Sequence, residues 1–447
     1  MATYHPLAEE LNREILGCNP ILFELLSERG KAIYFPREGI IGQTAEAEDT
    51  SLNATIGIAV EDDGSPMRLP SIQKLLNLPP KNVYTYGATA GIPAVRKIWQ
   101  EEIRRKNPSL KGEISLPVCV NGLTHGLSVA GYLFLDPKEE LLLPDMFWEN
   151  YDMIFEKCCG ARLAPFRTFH PPSSASGGLR GASDHKLDLA TLRSQLCDGK
   201  PRKRVLILNF PNNPSGYAPT LKEADEIVEI LRESAEAGNR LVVILDDAYF
   251  GFIYEEGILR ESLFARVATL SDRILAVKVD GASKEHFGWG LRVAFLTFGS
   301  KGITTEACHG FSEKATGVVR GSISNVSHLS QSLVYRACIA PEHAAEKQAA
   351  FAILRARYLR VKAILKDPRF GKFWTPLPFN AGYFLCLKLH PPLDANRIRR
   401  RLYLEYDTGV IAIGDLLRVA FSSVPEERIP ELFENIAKAC EEDGEGN

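Results

Sequence analysis

The sequence predicts an α/β protein, with a large domain built on a mostly parallel sheet covered by helices and a smaller α+β domain. Three observations support this prediction. Between about residues 82 and 298, short apolar runs alternate with helical patterns, as is typical of parallel strands buried on both faces. After about residue 341 the pattern changes to a long charged helix, a few strands and a final helix. The length of 447 residues is sufficient for two or three domains.

The predicted strands of the large sheet follow one another along the chain with helices between them. They are Pro117–Val120, Glu140–Leu143, Arg204–Asn209, Leu241–Asp246, Ile274–Asp280 and Leu291–Phe298. The helix predicted at Leu221–Ala237 shows the pattern best, because Thr220 and Glu223 have capping-box spacing and Gly238 supplies a stop. The helices predicted for the smaller domain are Glu342–Asp367 and Pro425–Glu441.

These elements predict three segments. We expect residues 1–63 to form an N-terminal arm and part of the smaller domain, residues 64–340 the large domain, and residues 341–447 the rest of the smaller domain. Within the large domain, the Pro-, Ser- and Gly-rich stretch Pro171–Ser183 is predicted to be a flexible excursion rather than a linker.

Composition argues against several classes of function. The net charge is −3 and no basic block stands out, so neither nucleic acid nor an acidic membrane surface is an expected partner. No segment has the length and apolarity of a signal peptide or a membrane span, and we expect a cytoplasmic protein. The nine cysteines are scattered without the C-x-x-C or Cys/His spacing that is typical of zinc sites, so we expect no metal and interpret them mainly as buried apolar residues.

The segment Ser283–Arg292 lies where a buried strand meets a glycine-rich turn. It places Lys284 just after the strand Ile274–Asp280, and side chains at the ends of parallel strands project into a crevice. A second strand is predicted to begin immediately at Leu291. Taken alone, the segment fits equally well an ordinary surface loop in which Lys284 and Arg292 are solvated.

Two other strand ends carry unusual residues. The first is Phe210–Gly216, in which two prolines and a glycine hold Asn213 in a fixed backbone. The second begins with Asp246 and includes Tyr249, and a carboxylate after so apolar a strand requires a partner. Each alone is also explained by a turn asparagine, a helix-capping aspartate or a packed tyrosine. Together with Lys284 they indicate a functional site.

These motifs resemble those of the fold type I pyridoxal-phosphate (PLP) enzymes, and among them the aspartate-aminotransferase-like class I aminotransferases. The resemblance rests on Pro211–Gly216, on Asp246–Tyr249, and on Ser283–Lys284 followed by Gly290–Arg292, and it runs from about Asn53 to Phe421. It implies PLP as the cofactor, held by the large domain. It also implies a homodimer with the active site at the subunit interface.

The resemblance assigns roles to individual residues. It implies that Lys284 carries the cofactor covalently and acts as the general acid/base, that Asp246 pairs with the ring nitrogen, and that Tyr249 takes part in catalysis. The ring oxygen would be bound by Asn213 and Tyr249. The cofactor-binding residues that it implies are Lys284, Asp246, Asn213, Tyr249, Arg292, Gly122, Leu123, Thr124, Trp148, Tyr86 and Ser283.

The phosphate site has support from the residues themselves. Gly122–Gly126 follows a predicted strand and opens a helix, so free N–H groups and the Thr124 hydroxyl can hold an anion. By resemblance this is the phosphate loop, with Arg292 as a further phosphate ligand and Tyr86 reaching the phosphate from the neighbouring subunit. Trp148 would stack on the PLP ring, or else is a core tryptophan. The sequence departs from the family at Gly281, where a serine or threonine is usual.

The resemblance also implies substrate-binding residues. Arg418 would bind the α-carboxylate, a bidentate task suited to a guanidinium, and Gly57, Phe384 and Asn213 would line the same pocket. Arg320 matches an arginine that binds a distal carboxylate across the dimer interface. Its alternative interpretation is an ordinary arginine on a helix surface.

The function implied is transamination between an amino acid, aspartate or glutamate first, and a 2-oxo acid such as 2-oxoglutarate. Two alternatives keep the cofactor: an aminotransferase for aromatic or other apolar amino acids, and a lyase or decarboxylase of the same fold. A PLP-binding regulator without catalysis would need a DNA-binding module ahead of the large domain, and the short N-terminal segment leaves no room for one.

Overall fold

A computed structural model describes residues 4–18, 20–35, 39–75, 78–170 and 187–445. The predicted excursion Pro171–Ser183 lies outside the described residues. In the parts described, no helix combines the length and apolarity needed to cross a membrane.

The N-terminal segment is mainly helical. Its helices and its short strand are α1 (Pro6–Cys18), α2 (Pro20–Glu24), α3 (Glu28–Ala32), α4 (Ile40–Glu46) and β1 (Leu52–Asn53). The capping residue of α3 is Ser27, whose hydroxyl accepts a hydrogen bond from the Gly30 N–H.

Seven strands form one large sheet in the order β2-β8-β7-β6-β5-β3-β4. Of the strands in the described part of the chain, β8 alone runs antiparallel to its neighbours, so the predicted mostly parallel sheet is confirmed. The strands are β2 (Val118–Val120), β3 (Glu140–Pro144), β4 (Arg162–Phe166), β5 (Lys203–Asn209), β6 (Arg240–Asp246), β7 (Ile274–Gly281) and β8 (Ala294–Gly299).

Helices cover both faces of this sheet. On β5, Val205 and Ile207 pack into one hydrophobic core, whereas Leu206 and Leu208 pack into a second core on the other face. The helices of this region are α5 (Pro70–Gln73), α6 (Pro93–Lys106), α7 (Gly122–Phe134), α8 (Leu189–Cys197), α9 (Leu221–Glu236), α10 (Phe264–Val267), α11 (Ala282–Glu285), α12 (Thr305–Ser322) and α13 (His328–Ile339).

The C-terminal segment has its own antiparallel sheet, in the order β12-β13-β10-β9. Its elements are α14 (His343–Ile364), β9 (Trp374–Pro376), β10 (Phe384–Leu389), α15 (Ala395–Glu405), β11 (Thr408–Gly409), β12 (Ile411–Ile413), β13 (Leu416–Ala420) and α16 (Ile429–Glu445).

The N-terminal segment packs against the C-terminal one. Strand β1 pairs in parallel with β11. The side chain of Gln43 closes a reciprocal pair of hydrogen bonds with the Ala412 backbone, donating at 3.0 Å and accepting at 2.7 Å. These contacts agree with the expected association of residues 1–63 with the smaller domain. The two boundaries between the three predicted segments themselves stay a prediction.

Several element boundaries differ from those predicted. Strand β8 begins at Ala294 and not at Leu291, because residues 289–291 form a 3₁₀ turn and Arg292 has a left-handed backbone with φ of 52°. The final helix begins at Ile429, after a separate 3₁₀ turn over 426–428. The capping box at the start of α9 forms as predicted, since both of its hydrogen bonds are present.

Candidate active site

A cavity of about 260 Å³ lies at the carboxyl ends of β5, β6 and β7. The predicted site residues that line it are Gly57, Leu123, Thr124, Trp148, Asn213, Asp246, Tyr249, Ser283, Lys284, Arg292, Phe384 and Arg418. The lining residues that the sequence did not single out are Ile40, Thr44, Thr55, Ile56, Asn209, Ala248 and Trp289. The fold therefore brings strand ends that are distant in sequence into one crevice, as parallel sheets do.

Lys284 and Asp246 face this cavity as buried ionisable groups. Burial lowers the pKa of the Lys284 amine to about 8, opposed by Asp246 and assisted by Arg292. Burial likewise raises the pKa of Asp246 to about 6. The Lys284 Nζ lies 5.1 Å from the centroid of the Tyr249 ring. An amine with this pKa is partly neutral near physiological pH, which a nucleophile or general base requires.

Tyr151 holds the Asp246 carboxylate, and the sequence did not identify it. Its hydroxyl donates to Asp246 Oδ2 at 2.6 Å, and this hydrogen bond lowers the pKa of Asp246 against the larger effect of burial. The Asp246 Oδ1 accepts a hydrogen bond from the Ala248 N–H at 3.2 Å. The nearest sequence signal was Trp148, three residues earlier, whose ring contacts that of Tyr151 edge-on at 5.9 Å.

Asn213 is positioned by a second asparagine. The Asn209 side chain accepts from the Asn213 N–H at 2.8 Å and donates to the Asp246 carbonyl at 2.8 Å. The peptide bonds before Pro211 and Pro214 are both cis. Asn209 therefore ties the loop after β5 to the end of β6, and it keeps the Asn213 amide beside the cavity.

Arg418 reaches the cavity from β13. Its guanidinium donates to the Asn213 Oδ1 at 3.2 Å and to the Thr55 carbonyl at 2.8 Å, and it lies 4.6 Å from the centroid of the Phe384 ring. The Nε–H is buried and has no hydrogen-bond partner in the part of the chain that the structure describes. A Cβ at Gly57 would lie 3.4 Å from the Phe384 ring, so glycine leaves space in front of it. A buried cation with a free donor is suited to a carboxylate.

The start of α7 forms the other end of the cavity. Within the described ranges no side chain caps this helix, and Gly122 at its first position has φ of +79°. A side chain at Gly122 would overlap the Arg292 guanidinium, so the two are in close contact. The Ser283 hydroxyl, which lines the same cavity, is buried and has no hydrogen-bond partner among the described residues. Free helix N–H groups, a hydroxyl and a guanidinium make a site for a phosphate group.

The departure at Gly281 has a packing reason. This residue ends β7 and pairs with Ala294 on β8. A Cβ at position 281 would lie 2.6 Å from the Cα and Cβ of Ala294, so a serine or threonine does not fit without movement of the backbone. Among the residues that the structure describes, Thr124, Ser283 and Arg292 still offer side-chain donors at this end of the cavity.

Tyr86 and Arg320 do not line the cavity of this chain. Tyr86 is 91% exposed. Arg320 lies exposed in the last turn of α12, where it donates to the Ser324 hydroxyl at 2.7 Å. The resemblance places both at the active site of a neighbouring subunit, and that role stays a prediction.

The fold and this cavity define a class of α/β protein with a buried lysine and aspartate at the carboxyl edge of a mostly parallel sheet. The chain matches the family model of aminotransferase class I and II over residues 69–436. It therefore belongs to the aminotransferase class I and II family, which confirms the recognition made from its motifs.

Relatives agree with this family at low identity. An aspartate aminotransferase of Rhizobium meliloti is 28% identical over 211 residues, which cover 47% of this chain and 46% of that protein. Aromatic-amino-acid aminotransferase 2 of Thermococcus litoralis is 25% identical over 246 residues, covering 54% and 56%. The chain thus spans about half the length of these relatives. An aminotransferase structure from Anaerococcus prevotii superposes with a TM-score of 0.77 at 22% identity over 93% of this chain and 99% of that one.

Proposed function

We propose that this chain is a PLP-dependent aminotransferase that exchanges an amino group between an amino acid and a 2-oxo acid. The observation that carries the proposal is one cavity with three complementary parts: the buried Lys284 amine, the Asp246 carboxylate, and Arg418 with its free Nε–H. The charges at its two ends would suit an aromatic cation with a phosphate group, held between Asp246 and the start of α7. The unpartnered hydroxyl of Ser283 and the contact of Arg292 with Gly122 support this fit.

When bound, PLP supplies an electron sink for the charge that develops at the substrate α-carbon. Asp246 would stabilise a protonated ring nitrogen, and the hydrogen bond from Tyr151 favours the ionised form of the Asp246 carboxylate. Asn213 and Tyr249 would orient the ring, and Trp148, which lines the same cavity, would contact it. The Lys284 amine, with a pKa of about 8, exchanges a proton with the substrate near neutral pH.

For the substrate, we propose aspartate or glutamate with 2-oxoglutarate. Arg418 binds the α-carboxylate, and Arg320 of a second copy binds the distal carboxylate. The exposure of Arg320 and Tyr86 supports a homodimer in which both side chains reach across the interface. We place this enzyme in the cytoplasm.

One observation favours a second substrate class. The apolar residues of the cavity lining include Ile40, Ile56 and Phe384, and the arginines that this chain itself contributes to the lining are Arg292 and Arg418. If no arginine enters from a second copy, this apolar wall suits aromatic or other apolar amino acids.

The cofactor assignment is tested by borohydride reduction of the purified protein followed by peptide mapping. We expect the reduced cofactor on Lys284, and a label on any other lysine would overturn the site. A panel of amino acids then shows which ones convert the bound chromophore to its amine form. Product analysis distinguishes transamination from the lyase and decarboxylase alternatives, because transamination releases neither ammonia nor carbon dioxide.

Substitution of Arg320 by alanine tests the substrate class. Loss of an arginine that pairs with a desolvated carboxylate costs about 2–5 kcal/mol, so kcat/KM for aspartate should fall by at least about 30-fold while that for phenylalanine changes little. Lys314→Ala is the matched control, because it removes another exposed cation from the same helix. An equal loss for both substrates would contradict the assignment of Arg320 and favour the apolar class.

A further inference from the structure

Three side chains that can bind a metal lie close together outside the cavity, although their spacing in the sequence is not typical of a metal site. They are His286, Cys338 and His343, and one ligand atom from each lies within 4.8 Å of the other two. His286 follows the last residue of α11, Cys338 lies in the last turn of α13, and His343 is the first residue of α14. The turn between α13 and α14 therefore brings two of the side chains to the third.

The two imidazoles of this cluster have unsatisfied nitrogens. His286 is 1% exposed and His343 is 7% exposed. Neither Nδ1 nor Nε2 of either ring has a hydrogen-bond partner among the residues that the structure describes. Buried polar atoms are nearly always paired, so four such nitrogens at one place call for a ligand. Burial lowers the pKa of both rings, which keeps them in the neutral form that binds metals.

The surrounding side chains do not compete for these nitrogens. The Glu285 carboxylate accepts hydrogen bonds from the Nζ atoms of Lys106, at 2.9 Å, and Lys347, at 2.6 Å. The Trp99 ring lies 5.4 Å from the His286 ring and covers one side of it. The two imidazoles are tilted by 55° at 4.7 Å, which is not a parallel stack. The Glu285, Lys106 and Lys347 charges are thus paired with one another, while the four imidazole nitrogens have no hydrogen-bond partner in the part of the chain that the structure describes.

We propose that His286, Cys338 and His343 bind one zinc ion, with water in the fourth position. Two imidazoles and a thiolate are ligands that Zn²⁺ prefers, and a tetrahedral site separates such atoms by about 3.4 Å. The ligand atoms would therefore move together by about 1 Å. On binding, the Cys338 S–H bond breaks, a Zn–S bond forms and the proton goes to solvent. Burial raises the pKa of that thiol to about 12, so the metal itself must displace the proton.

The ion would connect the segment that carries Lys284 to the pair of helices α13 and α14. His286 lies two residues after Lys284, so the metal would fix the base of the turn that presents the amine. Its expected role is positional, because none of the three ligands lines the cavity described above.

The test uses the untagged full-length protein, freed of metal by dialysis against a chelator. Titration with zinc in competition with a chromophoric chelator should show one tight equivalent, confirmed by elemental analysis. Cobalt(II) in place of zinc should give a thiolate-to-metal charge-transfer band in the near ultraviolet. If the wild-type protein bound no tight equivalent of zinc, or if its cobalt spectrum lacked that band, the proposal would be overturned without any variant.

Matched variants assign the ligands. Cys338→Ser and His343→Gln should each weaken zinc binding by at least about 100-fold, because loss of an outer-shell partner alone already costs about 10–100-fold. The controls are Cys308→Ser, which removes a buried free thiol outside the cluster, and His309→Ala, which removes an exposed histidine on the same helix as Cys308. Zinc binding that survives in both ligand variants, or that is lost equally in the controls, would place the ion elsewhere.

Discussion

Two sets of buried lysine and aspartate side chains lie next to each other at the ends of β6 and β7, and they are satisfied to different degrees. In the core triad, Lys278 Nζ donates to Asp247 Oδ2 and lies 3.4 Å from Asp280 Oδ2. In the cavity pair, Lys284 and Asp246 face the same cavity, but Lys284 has no ion-pair partner within 4.0 Å among the residues described.

The pKa values of the two lysines follow from this difference. Burial alone would lower the pKa of Lys278, but the carboxylates of Asp247 and Asp280 raise it above its usual value. At Lys284 burial dominates, and the pKa falls to about 8. The core triad also gains a hydrogen bond from the Ser262 hydroxyl to Asp247 at 2.6 Å. Lys278 thus stays charged, whereas Lys284 can give up its proton near neutral pH.

The comparison separates a structural use of buried charge from a chemical one. Alternate residues of a strand point to opposite faces, so Lys278 on β7 lies on the face covered by α6, whereas Asp246 at the end of β6 lies on the other face. Stability requires the first set to be fully paired. Reactivity requires the second set to stay unpaired, with space left for a ligand.

The largest expected effect comes from Lys284→Ala. Because the amine acts both as the covalent attachment and as the acid/base, kcat should fall by at least about 10⁴-fold, or about 5 kcal/mol of barrier. The thermal midpoint of the protein without cofactor should not decrease, because no ion pair is lost. Stopped-flow turnover and calorimetry measure the two quantities. If the variant kept its turnover, or if its thermal midpoint fell, Lys284 would no longer differ from Lys278 in having a chemical rather than a structural role.

Lys278→Met, in contrast to Lys284→Ala, should lower the stability of the folded protein. It leaves Asp247 and Asp280 buried without their cation, which costs about 3–5 kcal/mol of unfolding free energy. Urea unfolding with unchanged m-value measures the loss, and the double variant Lys278→Met with Asp247→Asn should recover part of it. If the single variant lost less than about 1 kcal/mol, the core triad would be no more structural than the cavity pair.

Asp246→Asn should stabilise the cofactor-free protein in a pH-dependent way. The folded pKa of about 6 lies above the usual 3.8, so the contribution of this carboxyl group to stability is present below about pH 4 and is lost as pH rises through 6. A shift of about two units corresponds to about 3 kcal/mol, so the variant should be more stable by up to that amount near pH 8 and by about half as much near pH 5. Urea unfolding at the two pH values tests this. If the difference in unfolding free energy between variant and wild type did not change with pH, ionisation of the buried Asp246 would not destabilise the fold.

The elements that the sequence predicted well are those whose pattern is local. The strands now numbered β3, β5, β6 and β7 were found from contiguous apolar runs, and α9 from its capping box. Strand β4 was not predicted, because Arg162–Phe166 contains exposed and half-buried residues and is defined by its pairing with β3. Strand β1 has two residues and exists through β11, more than 350 residues away.

The same division applies to the site. Asp246, Asn213 and Lys284 were identified because each follows an apolar strand, and the structure brings them to one cavity, although their roles stay proposals. Tyr151 and Asn209 were missed, because their importance lies in hydrogen bonds across the fold that no local pattern encodes. The histidine and cysteine cluster was missed for the same reason, since its ligands come from three helix ends.

The smallest expected effect comes from Tyr151→Phe, which tests what keeps Asp246 ionised in the absence of an ion pair. The variant removes the hydroxyl that donates at 2.6 Å, and with it the interaction that lowers the pKa of Asp246. A hydrogen bond to a charged group is worth about 1.5–3 kcal/mol, so that pKa should rise by at least about one unit above its value of about 6. Cofactor affinity should then fall on the acid side, with the acid limb of its pH profile displaced upward by about one unit, and match the wild type near pH 9.

Tyr254→Phe is the matched control, because Tyr254 is also buried but its hydroxyl donates to the Gly382 carbonyl at 2.8 Å and not to a carboxylate. Its pH profile should not move. If both variants shifted the profile equally, packing of the aromatic core would govern Asp246. If only Tyr151→Phe shifts the profile, the neutral Tyr151 hydroxyl stabilises the ionised form of Asp246, as the Lys278 cation stabilises the carboxylates of the core triad. Asp246 is then kept charged without a salt bridge, and Lys284 remains free of one.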